Sequence, residues 1–190
     1  MDLFKYTAHE LHEKLVNKEI TAVELTNAVY DRIAAVDEQV NAYISLSKEE
    51  ALAKAAEVDA KIAAGEAIAP LAGIPVVFKD NINIYGQVTS CASKMLQGVE
   101  TVFDAHVTEE LRKEDAVFLG KANMAEFSIG NTTDNSYNGA AHNPWNLNCT
   151  TGGCATAAAV AAGEAVWALA SDTSGDLRQP AAYAGCVGIK

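Results

Sequence analysis

The chain has 190 residues, 49% of them hydrophobic and 21% charged, with a formal net charge of −11. That length fits one domain or a large part of one, and the apolar content supplies a sizeable core, which excludes a disordered acidic tail. The acidic balance argues against this segment gripping nucleic-acid phosphates by itself, while leaving room for a complex whose basic surface belongs to a different chain.

The first five residues, Met1-Asp2-Leu3-Phe4-Lys5, lack the basic-then-apolar pattern of a signal peptide. The first third of the chain then reads helical. Thr7 with Glu10 makes a capping box ahead of Leu11 and Leu15, and Thr21 with Glu24 makes a second ahead of Leu25, Val29, Ile33 and Val36. Ser47 with Glu50 reads as a third, opening a helix through Leu52, Ala56 and Ile62 that stops at Gly65. These boxes cap helices and carry no chemistry. Residues 42–46, between the second and third helices, are apolar enough to be extended.

At Pro70 the texture changes. Leu71-Ala72-Gly73-Ile74-Pro75-Val76-Val77-Phe78 reads as a buried strand ending at Lys79, and a helix over 107–114 leads to a second strand over 117–119. Residues 130–156 are polar and rich in Asn, Thr and Gly, a loop long enough to be functional. A small-residue helix over 157–162, a strand over 166–169 and the turn Ser171-Asp172-Thr173-Ser174-Gly175-Asp176 complete the pattern. Alternating strands and helices predict an α/β fold, a mixed, partly parallel sheet with helices on both sides, the N-terminal helices forming a layer against it. No apolar stretch reaches the roughly 18 residues of a membrane span. The four cysteines (Cys91, Cys149, Cys154, Cys186) form no CxxC pair, and the four histidines do not join them at zinc-ligand spacing. Thiols in a reducing cytosol are therefore expected, with no metal site.

Three features are candidates for chemistry. Lys79 ends an apolar strand, where strand ends present side chains to a cleft; burial disfavours an ammonium, and a neutral lysine is a general base. Taken alone, a lysine snorkelling out of a strand end is the favoured reading. Thr150-Thr151-Gly152-Gly153-Cys154-Ala155-Thr156 lets backbone approach a ligand before a helix, but no Gly-Lys-Ser/Thr follows, so a phosphate loop is rejected and a plain loop-to-helix turn stays open. The turn at Thr173-Ser174-Gly175-Asp176 has successive N–H groups able to hold an oxyanion, or is an ordinary Asp/Gly turn.

Together these features resemble the amidase signature family. Residues 70–81 look like its lysine motif. Gly120-Lys121-Ala122-Asn123-Met124-Ala125-Glu126-Phe127 looks like its Gly-Lys-Thr-Asn-Met-Asp-Glu-Phe segment. Asn143-Pro144-Trp145 and residues 157–163 flank its Gly/Ser-rich loop, and Ser171-Asp172-Thr173 with Arg178-Gln179-Pro180-Ala181-Ala182 bracket its nucleophile turn. The order is unbroken over essentially the whole chain. Asp134-Asn135-Ser136, Gln179 and residues 121–127 favour the branch formed by the A subunits of tRNA-dependent amidotransferases.

The resemblance implies residues 1–190 as the N-terminal part of a single amidase-signature domain, with a helical layer over 1–65 and catalytic-core segments over 66–190. It implies a turn serine that attacks an amide and a loop serine, preceded by a cis peptide bond, that relays its proton to the lysine. In this branch the amide is that of glutamine. The ammonia passes to partner subunits B and C, which use ATP and Mg2+ to amidate Glu-tRNA(Gln) or Asp-tRNA(Asn); this chain itself would carry no cofactor, meet tRNA only through the complex and act in the cytoplasm. Carried over, Lys79 keeps the base position, Gly152 stands at the relay serine and Asp176 at the nucleophile. Thr151, Thr173, Ser174 and Gly175 fall at the oxyanion and substrate positions. Without either serine, little glutamine hydrolysis is expected, and a substitute such as Ser174, Thr151 or Thr173 would need a shift of several ångströms. Asp176 near Lys79 is expected to pair with it. Gly185-Cys186-Val187-Gly188-Ile189-Lys190 looks like the start of a segment that continues in the family. The fold is thus expected to be truncated after the nucleophile turn, leaving an uncovered sheet edge and a tendency to associate. A non-catalytic, partner-binding paralogue and a generic amidase are the alternatives.

Overall fold

Two of the three capping boxes start the fold as expected. In the computed structural model, which describes residues 3–190, α1 (Ala8–Val16) begins where Thr7 Oγ1 accepts the Glu10 N–H and the Glu10 carboxylate accepts the Thr7 N–H. Met1 and Asp2 of the N-terminal stretch lie outside the described residues. Helix α2 (Ala22–Val40) repeats the arrangement at Thr21 and Glu24. The Asp59 carboxylate, from the next helix, also accepts the Ala22 and Val23 N–H groups at 2.7 and 3.1 Å. An anion on free N–H groups at a helix start is favourable twice over, by hydrogen bonding and by the helix dipole.

The third box does not form. Helix α3 (Lys48–Ala64) runs as expected to a left-handed stop at Gly65, but Ser47 makes no side-chain cap bond. Its N–H is tied to Leu119 O at 2.9 Å, its backbone is held at φ −117°, ψ 48°, and the Glu50 carboxylate accepts instead from Gln87 Nε2. Sheet pairing has overridden the local signal. The face that α3 buries is Ala51, Ala55 and Val58, one residue round from Leu52 and Ala56.

Strands β1 (Tyr43–Leu46), β2 (Pro75–Lys79) and β3 (Val117–Ala122) form a sheet that β6 (Trp167–Leu169) completes, in the order β1-β3-β2-β6. β1 is antiparallel to β3, and β2 lies parallel to both β3 and β6. Where β1 crosses β3, a Cβ on Gly120 would sit 2.1 Å from Ser45 O, so only glycine fits. Residues 130–156 are not loop throughout: β4 (His142–Asn143) and β5 (Asn146–Thr150) make a small antiparallel sheet. Helices α4 (His106–Lys113) and α5 (Thr156–Ala162) match expectation, while α6 (Arg178–Ala184) follows the last turn unannounced.

Both faces of β2 are buried. Val77, with Val117 and Leu119, packs into the larger core beneath α1, α2, α3 and α5; Val76 and Phe78 face the other way, onto Leu111 of α4 and Phe118. The sheet is therefore mixed, with helices on both sides. Among the described residues no helix is long and apolar enough to cross a membrane.

Candidate active site

Lys79 is the last residue of β2, the central member of the three mutually aligned strands, and is fully buried. Because β6 runs parallel beside β2 with Leu169 opposite Phe78, the chain leaving β6 reaches its turn just beyond Lys79. That register brings strand end and turn together across 92 residues of sequence. Lys79 Nζ donates to the Asp176 carboxylate, to Ser171 Oγ at 3.0 Å and to Ser171 O at 3.2 Å, which occupies all three donors of an ammonium. Asp176 is equally buried, and its second oxygen accepts the Thr173 N–H at 2.6 Å. The Asp176 carboxylate thus ties Lys79 to the turn.

The turn is closed by a second carboxylate. Asp172 accepts the Gly175 N–H at 2.6 Å and the Arg178 guanidinium at 2.6 Å. The Arg178 contact, helped by these N–H groups, holds the Asp172 carboxyl well below the usual carboxylate range. Two of the N–H groups expected at the oxyanion position, those of Thr173 and Gly175, are therefore engaged by aspartates. Ser174, with Thr173, is exposed on the outside of the turn.

The glycine-rich loop lies against this turn. It is held by backbone bonds: Ala125 N–H to Gly153 O at 3.0 Å and Ala155 N–H to Asn123 O at 2.9 Å. A Cβ on Gly153 would lie 2.9 Å from Asp176 Cβ, and one on Gly152 would lie 2.8 Å from Pro180 Cγ. Gly152 has φ +96°, a conformation that side-chain-bearing residues rarely adopt, and no peptide bond among the described residues is cis. Thr151 is buried and its hydroxyl points to Cys154 O at 3.5 Å, away from any bond to Lys79. Lys79, Asp176 and the 152–153 loop are thus one cluster, with Thr173 and Gly175 joined to it through backbone and Ser174 and Thr151 outside its hydrogen bonding.

Sequence reasoning missed three polar partners. Ser171, rather than Ser174, is the hydroxyl bonded to Lys79. Asn81 Nδ2 donates to Ser171 Oγ at 2.8 Å and to Ser128 Oγ at 3.2 Å. The adjacency of Asn81 to Lys79 was a usable signal; Ser128 and Ser171 carried none without the strand register. A second buried lysine, Lys121, donates to Ile82 O at 2.7 Å and Thr89 Oγ1 at 2.9 Å and lies 3.6 Å from Asp80. Burial disfavours its charged form and Asp80 opposes that effect. Asp80 in turn accepts from the N–H groups of Ser90 and Ala92 and from Ser90 Oγ, clamping the segment that follows Lys79. Asn123 is likewise structural, bonded to Asn41 O, Gly139 O, the Met124 N–H and Ser136. Among the described residues no group of three or more His, Cys, Asp or Glu side chains is placed to hold a metal ion.

The chain as a whole is similar to known proteins. The Amidase family profile matches residues 24–190. The chain is 50% identical over 192 aligned positions to the A subunit of a glutamyl-tRNA(Gln) amidotransferase from Clostridium botulinum, covering all of this chain and 40% of that protein. The solved A subunit of the Thermotoga maritima glutamyl-tRNA(Gln) amidotransferase superposes with a TM-score of 0.77 at 36% identity, over 95% of this chain and 37% of that one. The peptide amidase of Stenotrophomonas maltophilia gives 0.86 at 34% identity, over 94% and 38%. The chain spans about 40% of the length of the curated relatives it matches.

Proposed function

The chain belongs to the amidase family, and on that premise we propose that it is the N-terminal, base-bearing portion of an A-type amidotransferase subunit, in a form whose glutamine hydrolysis is switched off. One observation carries the second half of this reading: the carboxylate at the nucleophile position is bonded to Lys79. A general base must shed its proton before it can take one. Here a buried carboxylate is bonded to the Lys79 amine, which spends its remaining donors on Ser171, so the amine is not free to take a proton from a nucleophile.

Asp176 is also a poor replacement nucleophile. Attack of its oxygen on the glutamine amide would expel ammonia and leave an anhydride, a product higher in energy than the ester a serine forms. Its second oxygen already occupies the Thr173 N–H that a substrate oxygen would need. Gly152 offers no hydroxyl to relay a proton. Ser171 has a hydroxyl 3.0 Å from Lys79, but it accepts hydrogen bonds from Lys79 and Asn81, which orients its lone pairs towards those donors rather than towards a carbonyl carbon.

The assembly is the one expected of this branch: partner subunits B and C, ATP and Mg2+ on the partner, tRNA met only through the complex, in the cytoplasm, with glutamine as the substrate whose cleavage is lost. The 50% identity to an amidotransferase A subunit over the whole chain supports it. Co-expression with the B and C subunits of the Clostridium botulinum relative, followed by affinity capture of this chain, is the test. Co-purification of B and C is the expected result; a chain recovered alone, folded by circular dichroism, would overturn the partner assignment.

A further inference from the structure

Glu164 joins α5 to β6, immediately after the left-handed Gly163 that ends the helix. Its backbone is well placed: the N–H donates to Ala159 O at 2.8 Å and the carbonyl accepts Tyr43 Oη at 2.7 Å. Its side chain is fully buried, and neither carboxyl oxygen has a hydrogen-bond partner. The charged and titratable groups that face it come from α2 and β1. Asp37 is a second carboxyl, accepting the Ala42 N–H at 2.6 Å; Arg32 has its Nε committed to Ala162 O at 2.7 Å; Tyr43 is committed to the Glu164 carbonyl, with Tyr30 behind it.

A carboxylate in that position would be desolvated, without a donor, and beside Asp37. An uncharged carboxylic acid avoids most of that cost. We propose that Glu164 is carried as a neutral acid in the folded chain, and that its ionisation is an alkaline release for the α5–β6 junction. Burial, with Asp37 adding to it and Arg32 opposing, pushes the carboxyl up to about 9 from an ordinary 4.5. The folded value lies above the unfolded one, so stability is full below about 4.5 and is lost progressively as pH rises to about 9. The junction matters beyond itself: β6 leads into Ser171, so a loosened β6 releases the turn from Lys79.

The experiment compares urea unfolding of the chain with that of Glu164→Gln at several pH values between about 5 and about 9, with carboxyl carbon NMR of the glutamate-labelled chain. The unfolding constant of the unmodified chain should rise, relative to the variant's, by about tenfold per pH unit across that window. One glutamate resonance should stay at its protonated position at neutral pH and vanish in the variant. Glu164→Leu, which also cannot ionise, replaces the Gln variant if that one fails to fold. Parallel pH profiles, or a glutamate set fully ionised at neutral pH, would overturn the proposal.

Discussion

At the scale of single residues, the Lys79–Asp176 pair decides what the site is. Both side chains are fully buried, and an isolated buried charge is costly, so removing either partner alone is expected to destabilise the fold by about 3–5 kcal/mol. Lys79→Met combined with Asp176→Leu should cost much less than the two single changes summed, because neither leaves an orphaned charge. Denaturant midpoints of the four proteins check this, and additive losses would show that the two groups are not paired. Restoring the relay is the harder change. A serine at Gly152 brings its Cβ to 2.8 Å from Pro180 Cγ, on a backbone at φ +96°, and is expected to cost about 1–3 kcal/mol in strain. Asp176→Ser with Gly152→Ser should therefore recover more hydrolysis than either change alone, but only if the 152–153 loop shifts off Pro180. The family pattern was enough to single out Lys79, Gly152 and Asp176 together from sequence, and the structure brings Lys79, Asp176 and the 152–153 loop close to one another. The hydroxyl of Ser171 was not readable, because its meeting with Lys79 depends on which residue of β6 faces Phe78; Asn81 was signalled only by its place two residues after Lys79.

At the scale of elements, local signals held where nothing competed with them. Thr7 and Thr21 cap helices in the absence of other demands on their backbone, whereas Ser47 is claimed by Leu119 O. Thr21→Ala should accordingly lower stability by about 1 kcal/mol, while Ser47→Ala should be close to neutral. Thermal midpoints measured in parallel test this, and an equal loss at both positions would restore the third capping box. The apolar runs ending at Lys79 and beginning at Val117 were legible as strands because both faces are buried, which makes them short continuous apolar stretches. Strands β4 and β5 were hidden by their shortness and Asn-rich composition, β5 also by its exposure, and α6 by Pro180 within its first turn, a position where proline is tolerated and yet reads as a breaker.

At the scale of the whole molecule, β6 ends the sheet order with three residues. A groove of about 570 Å3, lined by Val160, Trp167, Leu177, Val187 and Ile189 among others, opens beside it. Val187 and Ile189 are 90% and 81% exposed. An open edge next to exposed apolar surface favours association. Sedimentation velocity of the purified chain over a wide concentration range should show concentration-dependent self-association; one monomeric boundary throughout would argue for a self-sufficient domain.

The proposed silence of the site rests on Lys79 being held by Asp176. Ammonia release from glutamine, measured on the purified chain with and without B and C subunits and set against Lys79→Ala, tests that most directly. The predicted result is no release above the Lys79→Ala background in either condition. Glutamine hydrolysis by the unmodified chain that disappears in Lys79→Ala would contradict it, and would mean that Lys79 works as a base with another hydroxyl as the nucleophile.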